Sequence, residues 1–409
     1  MPTCPVSSTP LRPRTQPLSQ KLERMRRAGG HVPPADRAAN KRLVPDGYLD
    51  LQGVNDYLDE VARQYPDLAM RVDSRDFEPG LTYEGRPLPL LKLSRNVTAN
   101  EDEPVYLLNG AHHAREIVTP HLVMDAVRRL TEGYGTDAGL TEVLDTRAII
   151  IAPVWNPDGY EYVWNANNMW RKNRKPVGNT YGVDQNRNYP FGWDNSCSGS
   201  SVPSSETYKG PSPASEEETL TMIDLQARYN VAKLLDYHSY GREVLIGFNC
   251  EPTPALLESF LTDEANELAD LANYATRAPS GDGQNQGWAL ATHTTYSFLV
   301  ETQTEFQPDF DEAEAEAERV WPLTRAWLER PIPLRGHITA GGEPVAATIN
   351  IREFNNELFT YRSDAVYGSY HIILPNGNYT LDVAASGFGT RAVQVSIDNS
   401  NPKTLDIQL

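Results

Sequence analysis

Five short stretches constrain this chain more than anything else in it. VYLLNG (105–110), AIIIAPVWNP (148–157), VAKLLDYHS (231–239), VLIGF (244–248) and YSFLVE (296–301) are nearly continuous in apolar residues, the pattern of strands buried on both faces of a sheet. Between them the sequence predicts helices at 120–131, 215–229, 254–277 and 310–329. Ahead of them Leu51, Val54, Leu58 and Val61 recur at three- and four-residue spacing and predict a first amphipathic helix. The helix at 310–329 carries acids in its first half and arginines in its second, which suits the helix dipole. Strands alternating with helices mean an α/β domain.

After ERPIP the texture changes. Ile349 and Ile351, then Tyr379, Leu381 and Val383, then Val393, Val395 and Ile397, then Leu405, Ile407 and Leu409 alternate with polar residues, and turn clusters such as PNGN (375–378) separate the runs. This predicts a small all-β sandwich over 334–409, with the domain boundary at the Pro-rich step 331–333. At the other end, residues 1–46 are rich in Pro, Ser and Arg without an apolar period, and read as a disordered basic arm in which KLERMRR is a short-helix candidate. The middle, 47–330, is the main domain.

Charge narrows the partners. The chain of 409 residues carries −18; residues 1–46 hold nine Lys/Arg and three Asp/Glu, or +6, so −18 less +6 leaves −24 on the rest. A body this acidic repels phosphate backbones, which excludes nucleic acid as its partner, and it tolerates cationic peptides. No stretch has the roughly 20 consecutive apolar residues of a membrane span, and the first residues lack the apolar core of a secretory leader. Cys4, Cys197 and Cys250 make no disulfide framework and match no zinc-finger spacing; unpaired thiols are expected, with a single Cys197–Cys250 bridge as the alternative.

The chemistry concentrates in NGAHHAREIVTP (109–120). Leu107 and Leu108 end a strand, and Thr119 followed by Pro120 reads as the N-cap and first turn of the next helix, so the cluster lies in a strand-to-helix loop, where open α/β sheets bind ligands. His113 and Glu116 stand three apart, close enough to converge on one metal ion. H-x-x-E is by itself a weak signal. Catalytic zinc takes three protein ligands and keeps a fourth position for water, so a third ligand must come from elsewhere; His238, closing VAKLLDYH, is the leading candidate. His112 is expected to pack or hydrogen-bond beside the site and His121 to sit in the helix, while His31, His293, His337 and His371 read as surface residues.

Three further stretches add to the cluster. VDQNRN (183–188) places Asn186 and Arg187 side by side, an amide and a planar fork suited to gripping a carboxylate. WRKNR (170–174) supplies Arg171 and Arg174, either of which can steady negative charge on an oxygen; alone, each reads as an ordinary surface cation. Glu301 closes an apolar strand, where an acid is costly unless it is needed, and is a candidate general base.

Together these residues resemble the zinc metallocarboxypeptidase family, the relatives of carboxypeptidase A, over about 47–330. HHARE, NPDG (156–159), WRKNR, GVDQNRN, SETYKGPSPASE (205–216), His238 with Ser239, and the strand-final Glu301 appear in family order. The resemblance implies a twisted mixed sheet flanked by helices and one Zn2+ per chain held by His113, Glu116 and His238. It implies Asp184 as the carboxylate orienting the His113 ring, Arg171 as the group polarising the scissile carbonyl, and Glu301 as the general base. It also implies Asn186 and Arg187 as the clamp on a substrate's terminal carboxylate, Arg115 in the substrate groove and Gln286 at the floor of the specificity pocket. The partners implied are peptide or protein C-termini, met by a monomer. Family members are mostly exported, although no leader is visible here. Residues 334–409, with GSYHIILPNGNYTLDVAASGF (368–388), are similar to the transthyretin-like domain of the carboxypeptidase N and E branch, as are ETQTEFQP (301–308) and the QGW of Gln286 to Trp288.

Two departures from the family pattern stand out. The tyrosine that caps bound substrate has only Tyr274 as a counterpart, earlier than expected. Where the branch with the β-domain has an aspartate that attracts terminal Lys or Arg, the count reaches Asn249, and Gln286 is neutral; the expectation is a broad or neutral preference, with basic substrates left open by the acidic body. Two other readings compete: a catalytically silent peptide-binding relative, against which the intact His113, Glu116, His238 and Glu301 argue, and a zinc amidohydrolase of small acylated amino acids.

Overall fold

The computed structural model describes residues 18–28, 43–99, 101–354 and 359–409. Eight strands form the central sheet: β1 (Ala69–Val72), β2 (Leu90–Leu93), β3 (Val105–Gly110), β4 (Ala148–Ala152), β5 (Lys233–Ser239), β6 (Glu243–Leu245), β7 (Ala275–Arg277) and β8 (Tyr296–Thr302). Their order is β1-β2-β4-β3-β5-β8-β6-β7. The middle, β4-β3-β5-β8, is parallel, while β1 with β2, β2 with β4 and β8 with β6 are antiparallel, so the sheet is mixed as the resemblance implies. The parallel strands are buried along their whole length apart from Glu301, which accounts for their unbroken apolar runs.

Register places the chemistry. Asn109 lies opposite Asp236 across β3 and β5, and His238 lies opposite Glu301 across β5 and β8, so the polar residues of three strands gather at one edge of the sheet. The chain leaves β3 towards β4 on one side and returns to β5 on the other. That reversal opens the crevice at the carboxyl ends of β3 and β5.

Helices Leu51–Gln64, Val118–Gly133, Glu217–Tyr229, Ala255–Ala272 and Phe310–Glu329 cover the sheet. The expected helix at 120–131 starts earlier, at Val118, and Thr119 is not its cap. Its hydroxyl instead donates to Glu116 O (2.9 Å) and accepts from Ala111 N (2.9 Å), bracing the loop that carries the histidines. Gly110 permits this close approach, because a Cβ there would stand 3.0 Å from Thr119 Oγ1. The expected helix at 254–277 is also corrected: it stops at Ala272, Asn273 turns left-handed (φ 54°), and 275–277 form β7. Strands β1 and β2 and helices Ala138–Thr146, Pro157–Asn165 and Asn285–His293 were not expected. Each is too short to show a clear period.

Strands over 334–408 form two further sheets, one centred on Leu334–Ala340 and one with Ala347–Ile351 and Gly377–Ala385 at its middle. Ile349, Ile351, Tyr379, Leu381 and Val383 point inward, as their alternation predicts. Most of the basic arm 1–46, including His31, lies outside the described residues. Its helix Leu18–Ala28 does not fit a disordered arm: Leu18 is buried in the main core, Met25 packs against that core, and Ser19 N donates to Glu132 Oε1 (3.2 Å). His293, His337 and His371, expected at the surface, are half-buried. His337 Nε2 lies 2.5 Å from Asp102 Oδ2, which ties these C-terminal strands to the segment before β3, and burial pushes the His371 pKa down to about 4.

Lys233, at the start of β5, is fully buried beneath Tyr106, Tyr296 and Trp327. Its Nζ donates to Trp327 O (3.1 Å) and Arg330 O (2.5 Å), satisfying carbonyls at the end of the Phe310–Glu329 helix. Lys233→Met should lower unfolding free energy by about 1–3 kcal/mol, because two buried carbonyls lose their donor. Urea unfolding measures this, and an unchanged midpoint would contradict the capping role.

Candidate metal and peptide site

The crevice holds His113 and Glu116 from the loop after β3, His238 from the end of β5 and Glu301 from the end of β8. His113 Nδ1 lies 2.7 Å from Glu116 Oε1, His238 Nδ1 lies 3.0 Å from Glu116 Oε2, and the two Nδ1 atoms are 3.1 Å apart. Three ligand-type atoms thus share one small space, and two imidazoles with a carboxylate are a donor set suited to zinc. Glu116 is fixed in place by Ser239 N, which donates to its Oε2 (3.2 Å). Burial works against the Glu116 charge, but His113 and His238 outweigh it and hold the carboxyl well below its ordinary range.

The far side of each imidazole is also held. His113 Nε2 lies 3.1 Å from Asp184 Oδ1, which leaves Nδ1 facing the centre. Asp184 Oδ2 in turn accepts from Arg171 Nε (3.0 Å) and Nη2 (2.8 Å), and Arg171 Nη1 approaches Glu116 Oε1 at 3.9 Å. His238 Nε2 has Asn186 Nδ2 at 3.1 Å and Asp236 Oδ1 at 3.4 Å. Against burial, Asp236 and Glu116 raise the His238 pKa well above its ordinary value, whereas burial and then Arg171 lower that of His113.

A second group, His112, Asp236 and His238, is also compact. Both His112 nitrogens are already engaged there: Nδ1 lies 3.1 Å from Asp236 Oδ1 and 3.0 Å from Asn109 Nδ2, and Nε2 lies 3.0 Å from the Tyr189 hydroxyl. His112 thus packs and hydrogen-bonds beside the His113–Glu116–His238 centre, as expected.

Glu301 Oε2 is buried with no hydrogen-bond partner among the described residues. Burial and the neighbouring Glu116 charge push its pKa up to about 7, with His238, Arg171 and Arg277 pulling the other way. Such a group is poised to exchange protons near neutrality.

Arg187 lines the same crevice, donating from Nη1 to Asn186 O (2.6 Å) and from Nη2 to Ser280 Oγ (3.4 Å). Asn186 Oδ1 accepts from Asn285 N (2.8 Å). Of the two arginines in WRKNR, only Arg171 reaches the site; Arg174 is stacked on Tyr162, Trp170 and Tyr181. Arg115 does not line this cavity. It lies over the Phe306 ring at 4.2 Å, with Glu206 at 3.4 Å. Gln286 is likewise off the cavity wall, one layer behind Gln284, which is on it. Tyr274 is buried against Glu316, away from the crevice, so it is no cap for a ligand there. Exposed Tyr240 and half-buried Phe306 stand at the rim instead, edge to face at 4.8 Å.

Cys197 and Cys250, expected as free thiols, are joined in a disulfide with Cα atoms 6.0 Å apart. Asp282, two residues before Gln284, binds the same region by accepting from Asn249 N (2.9 Å), Cys250 N (3.2 Å) and Asn195 Nδ2 (3.2 Å). Sequence reasoning missed Asp236 and Gln284. An acid inside the apolar run VAKLLDYH carried the same signal that flagged Glu301, whereas nothing in GDGQNQGW marks one glutamine over the other.

Parallel strands thus end in a His–Glu–His centre suited to one metal ion, beside a glutamate whose Oε2 is buried. A zinc carboxypeptidase family profile matches residues 54–323, and the chain belongs to that family. Carboxypeptidase B of Helicoverpa zea is 36% identical over 216 residues, covering 51% of this chain and 48% of the relative. Carboxypeptidase A1 of Homo sapiens is 32% identical over 268 residues, 62% of each chain. The chain thus spans about half to somewhat under two thirds of the length of these relatives. Among solved structures, bovine thrombin-activatable fibrinolysis inhibitor superposes with a TM-score of 0.61 at 24% identity, covering 69% of this chain and 96% of that one. Carboxypeptidase A from Helicoverpa armigera gives 0.61 at 24%, covering 76% and 80%. These likenesses place the main domain in the carboxypeptidase-like fold.

The donor set makes a direct prediction. The purified chain should hold about one zinc, and His238→Ala well under one, as read by plasma emission spectrometry. Equal zinc in both would contradict the ligand set.

Proposed function

We propose that the protein is a zinc-dependent metallocarboxypeptidase that releases the last residue of a peptide or protein. The observation that carries this reading is the register of β5 and β8, which sets Glu301 opposite His238, while Glu116 contacts His238 Nδ1 at 3.0 Å and its charge raises the Glu301 pKa. His113, Glu116 and His238 would hold the ion, with Asp184 fixing the His113 ring. Zinc bound there lowers the pKa of water towards about 7 and polarises a carbonyl.

The chain's own residues do the rest. Glu301 accepts the proton of the attacking water and delivers it to the departing amine, so the carboxyl is ionised at the start and regenerated at the end. Arg171, braced by Asp184, donates to the oxygen that gains negative charge. Arg187 grips the terminal carboxylate with help from Asn186, which fixes the register so that only the last peptide bond comes to reaction. Arg115 and Phe306 would flank the residues further upstream.

The same reading divides the chain into a catalytic domain over 47–330 and a sandwich over 334–409 that we assign to the transthyretin-like type of the carboxypeptidase N and E branch; its two small sheets support this. The constellation is complete within one chain, which supports action as a monomer. Among the described residues no helix is long and apolar enough to cross a membrane.

Blocked dipeptides test the reading. A free amino acid should appear from the acid form and not from its C-terminal amide, and Glu301→Gln should lower kcat by about 10³-fold without lowering zinc content. Equal cleavage of the amide would remove the clamp, and no turnover with zinc bound would favour a silent binder. Because Glu301 acts as a base, kcat/KM should rise with pH as it ionises. A cation beside it favours the carboxylate, so the midpoint should fall at or below about 7. A profile flat across that range would contradict the assignment.

A further inference from the structure

Beyond the clamp, the crevice is a cavity of about 330 Å³ whose remaining wall includes Leu245, Leu299, Ser280 and Gln284. The leucines suit an apolar stem. Among the described residues the carboxylates on the wall are Glu116 and Glu301, already assigned to the ion and to proton transfer, and Arg171 and Arg187 face the same space. A terminal Lys or Arg side chain would find no free counter-charge there.

Gln284 and Gln286 are both buried, at 4% and 1% exposure. Their amides touch each other only at 3.5 Å, Gln286 Nε2 reaches Gly247 O at 3.4 Å, and Gln286 Oε1 has no partner among the described residues. These contacts are at the outer limit of hydrogen bonding. Gln284 stands at the N-terminus of helix Asn285–His293 but does not cap it through its side chain. The amide therefore remains available to the cavity. Asn285 N, next in the chain, is held by Asn186 Oδ1 (2.8 Å), so the wall is fixed relative to the clamp.

Buried amides short of partners are costly, and a ligand that brings both a donor and an acceptor relieves that cost where an apolar one cannot. Resting on the carboxypeptidase reading, we propose that Gln284, backed by Gln286, selects a C-terminal residue with a neutral amide side chain, glutamine or asparagine. A site that hydrogen-bonds its ligand discriminates sharply against an isostere lacking the group.

The test compares blocked dipeptides ending in Gln and Met, Asn and Leu, and Lys. In the parent, kcat/KM for the amide should exceed that for its isostere by about tenfold or more. Gln284→Leu should level or invert that ratio, and Gln284→Glu, a second replacement, should shift preference towards Lys. The same peptides are then bound to zinc-loaded Glu301→Gln by calorimetry. If nothing is turned over but affinity still follows the amide, the peptidase reading fails and the selectivity stands. If peptides are cleaved with Met and Leu equal to or better than Gln and Asn, or if Gln284→Leu leaves the ratio unchanged, the selectivity is overturned. Loss of both turnover and amide preference overturns both.

Discussion

Glu116 and Glu301 line one crevice at the end of the sheet and Asp184 and Asp236 lie buried behind its histidines, and holding that much negative charge in so small a space is tolerable only where cations or donors face it. The structure meets this demand unevenly. Asp184 has the Arg171 guanidinium and His113, Asp236 has His112, and Glu116 sits between His113 and His238. Of the four, Glu301 is left with an oxygen unpaired, and burial together with the nearby Glu116 charge raises its pKa. Division of labour among four chemically similar acids thus follows from which neighbours each one has. Three are held ionised as ligands or supports, and one is free to take up and release a proton.

Sheet geometry is what makes this arrangement possible. Parallel strands in register bring their carboxyl ends to a common edge, so residues 125 and 63 positions apart in sequence, His113 to His238 and His238 to Glu301, become neighbours. The loop after β3 would otherwise be loose, and Thr119 holds it from both sides. On the opposite wall, the disulfide and Asp282 join three loops that carry no regular structure. The crevice is therefore rigid around its polar centre, as preorganised catalysis needs.

Much of this was legible in the sequence, for a reason particular to such sites. An acid ending an apolar strand conflicts with its surroundings, which marks Glu301, while His238 is marked by its place at a strand's carboxyl end, where a third ligand is needed. Asp236, inside the run VAKLLDYH, shows the same conflict as Glu301. What the sequence hid depends on distance or on small numbers of residues. Cys197 and Cys250 are 53 residues apart, and nothing local shows that their loops meet. Strands β1, β2 and β7 have three or four residues each, too few for a period, and β7 is set off from the preceding helix only by the left-handed turn at Asn273. Gln286, expected at the pocket floor, lies one layer behind Gln284, which lines the crevice.

The account is tested most directly by diffraction from crystals of the zinc-loaded protein on either side of the zinc absorption edge. It predicts one anomalous peak per chain, about 2.0–2.2 Å from His113 Nδ1, His238 Nδ1 and a Glu116 oxygen, with Glu301 nearby but not bound. A peak among His112, Asp236 and His238, or none at all in the crevice, would contradict it.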